Sequence, residues 1–161
     1  MLDVRNIPTP DALPPGVSAI ESLSYQSLPP STSAVTFRLD AGEVNVTAAG
    51  LLFVQYADDA AARETFMNPR EGKGIVLLVG TGAAASEIDD SQAAAAGIRC
   101  FYAETNEGPP MAIRECASQQ GSFIVAAGVS VQLGEPLPPI EFDIAVVLSG
   151  LGHLEHWISD M

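Results

Sequence analysis

The stretch from Gly74 to Gly82 constrains the fold of this chain more than any other. It reads Gly-Ile-Val-Leu-Leu-Val-Gly-Thr-Gly, and an Ala-rich segment led by Ser86 follows it. The apolar run is too short to span a membrane, and it lacks the polar alternation of a strand with one solvated face. It therefore predicts a strand with both faces covered, as in a parallel sheet, leading through a Gly-Thr-Gly turn into a helix.

The rest of the chain adds strands and helices in an order typical of α/β proteins. We predict strands over residues 35–39, 44–46, 51–54, 74–79, 98–103, 122–127, 129–133 and 142–148, and helices over 58–67, 86–96, 109–121 and 151–161. From Gly74 onward the order is β-α-β-α-β, then β-α, which favours right-handed crossovers. The predicted fold class is α/β, with a mainly parallel or mixed central sheet, helices on both faces, and an N-terminal β-hairpin and proline-rich arm before it.

Six prolines within the first 30 residues predict an extended, partly disordered arm, because proline lacks the N–H group that helices and sheets use. Apolar residues three apart over 17–25 favour a short helical turn that docks. A chain of 161 residues suits one domain. We therefore predict an arm over residues 1–30 and a single α/β domain over residues 31–161.

The charge balance excludes two classes of partner. One Lys and six Arg stand against 20 carboxylates, which gives a net charge of −13. Such a chain has no basic patch to neutralise phosphates, and phosphate neutralisation dominates affinity for nucleic acids. We expect neither nucleic acid nor a membrane surface as a partner. The hydrophobic fraction of 47% predicts a folded, soluble protein with an apolar interior and with its acidic residues on the surface.

The two cysteines, Cys100 and Cys116, fall in a predicted strand and a predicted helix, and neither belongs to a Cys-x-x-Cys pair. Two buried free thiols are the simplest interpretation, and they are typical of a reducing compartment. A disulfide would need the two Cα atoms to lie within about 7 Å. The first residues show no export or organelle signal pattern, so we expect a cytoplasmic location.

The Gly-Thr-Gly turn also matches a nucleotide-binding pattern. The sequence from Gly80 to Ala85 fits Gly-x-Gly-x-x-Gly/Ala between a predicted strand and a predicted helix. Backbone close to glycine and a helix N-terminus can hold a pyrophosphate, and a carboxylate after the next strand can bind a ribose. The candidate cofactor-binding residues are Gly80, Thr81, Gly82, Ser86, Glu104 and Thr105.

A structural role explains the same turn. Glu87, Asp89 and Asp90 would place three negative charges where the pyrophosphate would lie, and no Arg or Lys is close in sequence. Small residues are also what a tight turn between a strand and a helix needs. Likewise, the turn from Thr105 to Gly108 lies where α/β proteins bind ligands, and it also suits the start of a helix.

No complete catalytic or metal-binding motif is present. His153 and His156 lie three residues apart with Glu155 between them, but two imidazoles do not fill a tetrahedral metal site. No Gly-x-Ser-x-Gly motif occurs, and neither histidine is placed for a catalytic triad. We therefore assign no catalytic residue, no metal site and no required cofactor.

Four short motifs carry a resemblance to a known family. They are Val79-Gly80-Thr81-Gly82, Gly97-Ile98, Thr105 and Ala126-Ala127, within residues 35–131. In these the chain resembles the small-domain family of mitochondrial NADH dehydrogenase (complex I) assembly factors and their prokaryotic relatives. The family's Tyr/Phe-Asn and Glu-Gly-Arg motifs are replaced here by Ile113-Arg114-Glu115 and Gln119-Gln120-Gly121. The resemblance implies a non-catalytic, partner-binding role in an oligomer or assembly complex.

Two functional hypotheses follow. The first is a non-catalytic, protein-binding or assembly-factor-like domain that binds a protein partner or self-associates and needs no cofactor. The second is a small nucleotide- or metabolite-binding protein, either a binding protein or an enzyme, that uses the Gly80-Thr81-Gly82 turn for a small-molecule ligand. The sequence favours the first, because it combines a strong core signal and high acidity with no assembled catalytic set.

Overall fold

Seven strands form one sheet in the described part of the chain, and every neighbouring pair is antiparallel. The structure is a computed structural model that describes residues 2–25, 32–69, 72–106 and 108–160. The strands are β1 (Ser18–Tyr25), β2 (Ser33–Asp40), β3 (Ala48–Gln55), β4 (Ala85–Ile88), β5 (Arg99–Thr105), β6 (Met111–Gln120) and β7 (Phe123–Gln132). The helices are α1 (Asp59–Met67), α2 (Ser91–Ala95) and α3 (Ile140–Ser159), and Val4–Asn6 and Leu78–Thr81 form 3-10 turns.

The strand order is β1-β2-β3-β7-β6-β5-β4. The first three strands form a meander, and the chain then crosses to the far edge of the sheet. A second meander runs back from β4 to β7, and β7 pairs with β3 along eight residues, from Ala48 opposite Ser130 to Gln55 opposite Phe123. The β3–β7 pairing therefore joins the two halves of the sheet.

The predicted α/β fold with a parallel or mixed sheet is wrong, and the 74–79 run shows why. This run is not a strand. Ile75 and Leu78 are buried against one face of the sheet, and the chain closes there in the 3-10 turn Leu78–Thr81. The segment is apolar because it covers the sheet, and its N–H groups reach the side chain of Glu115 instead of a neighbouring strand.

Two other predicted elements have the opposite secondary structure. The predicted helix over 109–121 is strand β6, which is buried on both faces, so the helical spacing of its apolar residues is accidental. The predicted strand over 142–148 belongs to α3. Gly150 does not end that helix: a Cβ there would lie 2.8 Å from Cγ1 of Val125, so glycine allows the helix to approach the sheet closely.

The sheet has a hydrophobic core on each face. Helix α3 covers one face, where the largest buried side chains include Leu51, Phe53, Val125, Leu154 and Trp157. The opposite face is covered by the 75–78 segment and by Phe66 of α1, with Leu52, Val54, Phe101 and Ile124 beneath them. No helix in the described residues is long and apolar enough to cross a membrane.

The N-terminal segment lies on the α3 face of the sheet. Val4 is fully buried, and its N–H group donates to Oε1 of Gln55 at 2.8 Å. The Gln55 amide in turn donates to the carbonyl of Leu2 at 3.0 Å. The helical turn predicted over 17–25 is wrong, because this part of the chain forms β1. Prolines 29 and 30 of the predicted arm lie outside the described residues.

The two cysteines form a disulfide, so the prediction of free thiols is wrong. Cys100 on β5 lies directly opposite Cys116 on β6, with the two Cα atoms 4.0 Å apart. The prediction failed because it placed Cys116 on a helix. On adjacent antiparallel strands, directly opposite cysteines are close enough to bond.

Candidate functional site

The Gly80-Thr81-Gly82 turn lies in a different context from the one its nucleotide-binding pattern requires. Gly80 and Thr81 belong to the 3-10 turn, and Gly82 follows in a left-handed conformation with φ of 71°. The Thr81 hydroxyl donates to the carbonyl of Leu78 at 2.7 Å and so closes the turn. The chain then enters strand β4, so no helix N-terminus faces the turn to hold a pyrophosphate.

The other three candidate residues lie on β4 and β5. Ser86 is opposite Tyr102, and the Tyr102 hydroxyl donates to Oε2 of Glu104 at 2.6 Å. This hydrogen bond raises the pKa of the Tyr102 phenol. Ser86 and Glu104 therefore share the α3 face of the sheet, whereas Leu78 beside the Gly-Thr-Gly turn packs on the opposite face. Thr105 ends β5.

The structure gives the two histidines separate surroundings. A ring nitrogen of His153 lies 2.6 Å from the carbonyl oxygen of Pro8. Nε2 of His156 lies 3.4 Å from Asp160 at the exposed end of α3. Within the described residues, no group of three or more His, Cys, Asp or Glu side chains could hold a metal ion. Glu107, part of the predicted polar turn, lies outside the described residues.

An open pocket of about 580 Å³ lies between the C-terminal end of α1 and the β4-α2-β5 segment. Its volume is in the range of small-ligand sites. Its lining combines apolar side chains with three carboxylates. The lining residues are Phe66, Glu87, Ile88, Asp89, Asp90, Ala94, Gly97, Ile98 and Arg99.

Arg99 is held in the pocket wall by several partners. Its guanidinium donates to both carboxylate oxygens of Glu87 at 2.7 and 2.9 Å, and to the carbonyl oxygen of Phe66 at 2.6 Å. It also lies 5.8 Å from the ring centroid of Phe66 and 5.6 Å from that of Phe101. The last carbonyls of α1 are a favourable place for a cation. Arg99 also holds the pKa of Glu87 below its usual value.

Asp89 and Asp90 give the pocket a net negative charge. Asp90 is the N-cap of α2, where one carboxylate oxygen accepts from the N–H group of Ala93 at 2.9 Å. Asp89 is exposed and forms no hydrogen bond or ion pair with the described part of the chain. Since Arg99 balances Glu87, the remaining charge of the pocket is close to −2.

A buried ion pair, which the sequence did not predict, attaches α3 to β6. Arg114 donates to both carboxylate oxygens of Asp143 at 2.8 and 2.9 Å, and to the carbonyl oxygen of Pro138 at 2.7 Å. Asp143 is fully buried. Burial raises the pKa of the Asp143 carboxyl, and the bonds from Arg114 oppose that rise. The pair has a structural role, because it is closed off from solvent and fixes the start of α3.

Glu115, the next residue on β6, holds the 75–78 segment on the opposite face. Its carboxylate accepts from the N–H groups of Ile75, Val76 and Leu77 at 2.9, 2.8 and 2.5 Å. Burial raises the pKa of Glu115, and these backbone hydrogen bonds oppose the rise. Gly74 has φ of 72°, and a Cβ there would lie 2.8 Å from Oε1 of Glu115, so glycine is required.

Comparison with known proteins gives no relatives: no protein-family profile, no curated protein and no solved structure matches the chain. The resemblance to the NADH dehydrogenase assembly factors stays a prediction.

Proposed function

We propose that the chain is a non-catalytic binding domain whose pocket beside Arg99 takes a cationic side chain of a protein partner. The observation that supports this is that one pocket combines apolar side chains with two carboxylates, Asp89 and Asp90, that form no ion pair with a described Arg or Lys. The proposal requires no catalytic group and no cofactor. It keeps the first of the two hypotheses drawn from the sequence and adds the chemistry of the partner.

Lysine fits the pocket better than an anionic or a purely apolar group. Its four-carbon stem can lie along Phe66 and Ile88, and its ammonium group can reach Asp89 and Asp90. The guanidinium of Arg99 is already bound by Glu87 and the end of α1, so it does not neutralise these two carboxylates. The net charge of −13 also attracts a basic partner from a distance.

A small amine is the second candidate ligand, and the volume of the pocket favours it. A nucleotide has less support, because its phosphates would meet Asp89 and Asp90 and the Gly-Thr-Gly turn precedes a strand. Butylamine reproduces the side chain of lysine without a peptide. Binding of butylamine as tight as that of a lysine peptide would identify a small molecule as the ligand.

The test compares an oligolysine peptide with the same peptide after acetylation of its lysines. Exposed ion pairs contribute about 0.2–1 kcal/mol each, so Asp89→Asn with Asp90→Asn should weaken binding about tenfold by calorimetry. Asn is as good an N-cap as Asp, so α2 should stay folded. The matched control, Asp11→Asn with Glu155→Gln, removes the same charge outside the pocket. Equal affinities for the two variants, or for the acetylated peptide, would refute the proposal.

The disulfide changes the expected location. A cytoplasmic location was expected from two free thiols, and Cys100 and Cys116 are instead bonded to each other. Disulfides persist in oxidising compartments and are rare in the cytosol, so we infer that the chain folds where thiols are oxidised. Peptide mapping of unreduced protein from its source cells should recover the two cysteines in one linked fragment. Recovery of both as alkylated thiols would support the cytoplasm.

A further inference from the structure

The outer edge of β1 lacks most of the features that normally prevent strand pairing, and its one β-bulge lies before Glu21. β1 lies at the end of the sheet, so no other described strand pairs with its outer side. It is eight residues long and contains no Lys, Arg or Pro. Edge strands of stable monomers are usually short, or carry lysine or proline. This edge therefore presents a row of backbone donors and acceptors that no described residue pairs with.

The opposite edge of the same sheet is protected. Strand β4 has only four residues, and one of them, Glu87, carries a charge. Asp89 and Asp90 follow it directly. A short strand surrounded by carboxylates gives a second strand little to pair with. The contrast singles out β1.

β1 also carries no free charge and has exposed apolar side chains. The carboxylate of Glu21, its only charged residue, lies 3.0 Å from the guanidinium of Arg38 on β2. Ile20 is 57% exposed and Leu23 is 43% exposed. In a chain with a net charge of −13, this strand is a locally neutral, partly apolar edge.

We propose that β1 of a second copy of this chain pairs antiparallel with this edge and joins the two sheets about a twofold axis. The occupant must be extended, because the edge offers a ladder of backbone hydrogen bonds. It must also carry no charge that needs an opposite charge on β1. β1 itself meets both conditions, and a twofold interface uses the same surface on both copies. A cationic strand would find no unpaired carboxylate on β1.

The β-bulge in β1 limits the pairing to the C-terminal half of the strand. The register with β2 shifts between Ala19 and Glu21, and from Glu21 onward it is regular. Pairing of residues 21–25 in the two copies places Leu23 opposite Leu23 of the second copy. Glu21 then lies opposite residue 25, which is uncharged, so no like charges meet directly.

The dependence on salt concentration distinguishes self-association through β1 from binding of a cationic partner in the pocket. Two chains of net charge −13 repel each other, and salt screens that repulsion over about 8 Å at 0.15 M ionic strength. Self-association through β1 therefore strengthens as salt is added. Binding of a cationic partner in the pocket weakens instead. The self-association does not depend on the proposed function, and the two can fail separately.

Leu23→Cys tests the interface, because both natural cysteines are in the disulfide and the new thiol is the only free one. Under mild oxidation L23C should form a covalent dimer, and faster at high salt. The matched control is Gln92→Cys, an exposed position on α2 near the opposite edge. Separately, Leu23→Lys should raise the dissociation constant of the dimer about tenfold by sedimentation, with an unchanged Tm at concentrations where both proteins are monomeric.

Three results would overturn the proposal. The first is equal cross-linking of L23C and Q92C. The second is a wild-type chain that sediments as a monomer at high concentration and high salt. The third is protection of the β1 amides from hydrogen exchange only when a foreign peptide is added, which would make the occupant a different chain.

Discussion

Three consecutive residues of β6 connect this strand to three other parts of the chain. Successive side chains of a strand point to opposite faces, so Arg114 and Cys116 lie on the α3 face and Glu115 lies on the other. Arg114 binds Asp143 on α3, Cys116 is bonded to β5, and Glu115 holds the 75–78 segment. Each of these contacts is buried, so a substitution at any of the three positions should lower the free energy of unfolding.

Glu115→Gln tests the contact with the 75–78 segment. The amide keeps the shape of the side chain but places an NH₂ group where one oxygen accepted hydrogen bonds. We expect the free energy of unfolding to fall by about 1–3 kcal/mol, because a buried N–H group loses its acceptor. Chemical denaturation measures this. Glu155→Gln, an exposed control on α3, should change it by less than about 0.5 kcal/mol. Equal changes in the two variants would contradict the assignment.

The comparison of the wild type with E115Q also gives a prediction for how stability depends on pH. Burial raises the pKa of Glu115 above its ordinary value of 4.5, so the folded chain binds more protons than the unfolded chain in the window above pH 4.5. The stability that Glu115 contributes is therefore fully present below that window and is lost as the pH rises through the folded pKa. The stability of the wild type relative to E115Q should fall with rising pH in denaturation curves. A relative stability that grows with pH would show a lowered pKa.

At the level of single residues, the sequence shows which side chains of β6 are charged but not which groups they bind. Arg114 and Glu115 are the only charged residues of β6. Arg114 pairs with Asp143, 29 residues away, and Glu115 binds N–H groups about 40 residues away. No local pattern contains such distances. A charged pair inside an otherwise buried strand is the signal that could have marked both residues as bound inside the protein.

At the level of elements, Arg114 and Asp143 anchor α3 on the sheet. Asp143→Leu leaves the buried guanidinium of Arg114 without a counterion, and we expect the free energy of unfolding to fall by about 3–5 kcal/mol. Arg114→Met with Asp143→Leu removes both charges and should recover most of that loss. Denaturation of the single and double variants measures the coupling. A double variant as unstable as the sum of the two single variants would contradict the ion pair.

The disulfide connects β5 to β6, and its removal tests that pairing. Its two cysteines are separated by 16 residues, and closing a loop of that length stabilises a fold by about 3 kcal/mol. Cys100→Ala with Cys116→Ala should lower the free energy of unfolding by about that amount in the absence of reductant. An unchanged denaturation midpoint would show that the two cysteines are not bonded in the wild type.

Several elements with local signals were predicted correctly, but the strand predicted over 44–46 is wrong, because the chain is irregular between β2 and β3. The helix after Asp58 is confirmed as α1, and the Asp58 side chain caps it by accepting from the N–H group of Ala61 at 2.8 Å. The strands predicted over 35–39, 51–54 and 98–103 are confirmed within β2, β3 and β5. In contrast, the helix predicted from Ser86 is wrong: Ser86 lies in β4, and Asp90 caps the shorter α2.

The remaining errors come from segments whose periodicity is misleading or absent. Strand β6 has apolar residues at helical spacing, and residues 142–148 and 74–79 are mostly apolar runs, so periodicity cannot tell strand, helix and covering loop apart. Which of the three forms depends on contacts made elsewhere in the fold. Gly150 illustrates this, because it lies between the predicted strand and the predicted helix in the sequence and is a packing position inside α3, close to Leu51 and Val125.

At the level of the whole molecule, the candidate pocket was visible in part. Glu87, Asp89 and Asp90 were noticed in the sequence as charges that oppose a phosphate, and the structure places all three in one pocket. The sequence could not place Phe66 and Arg99 in the same pocket, because Phe66 lies on α1 and is 33 residues from Arg99. The pocket and the β1 edge lie at opposite ends of the sheet, so binding at one leaves the other free.

The most direct test of this account is the pairing of β3 with β7, which joins the two meanders and fixes both ends of the sheet. NMR of the full chain should show backbone NOEs between the opposed residues Leu51 and Ala127, and between Phe53 and Val125. It should show no strand ladder for residues 75–78. NOEs that place residues 74–79 beside a parallel strand, with none between β3 and β7, would contradict the fold and the two proposed binding surfaces with it.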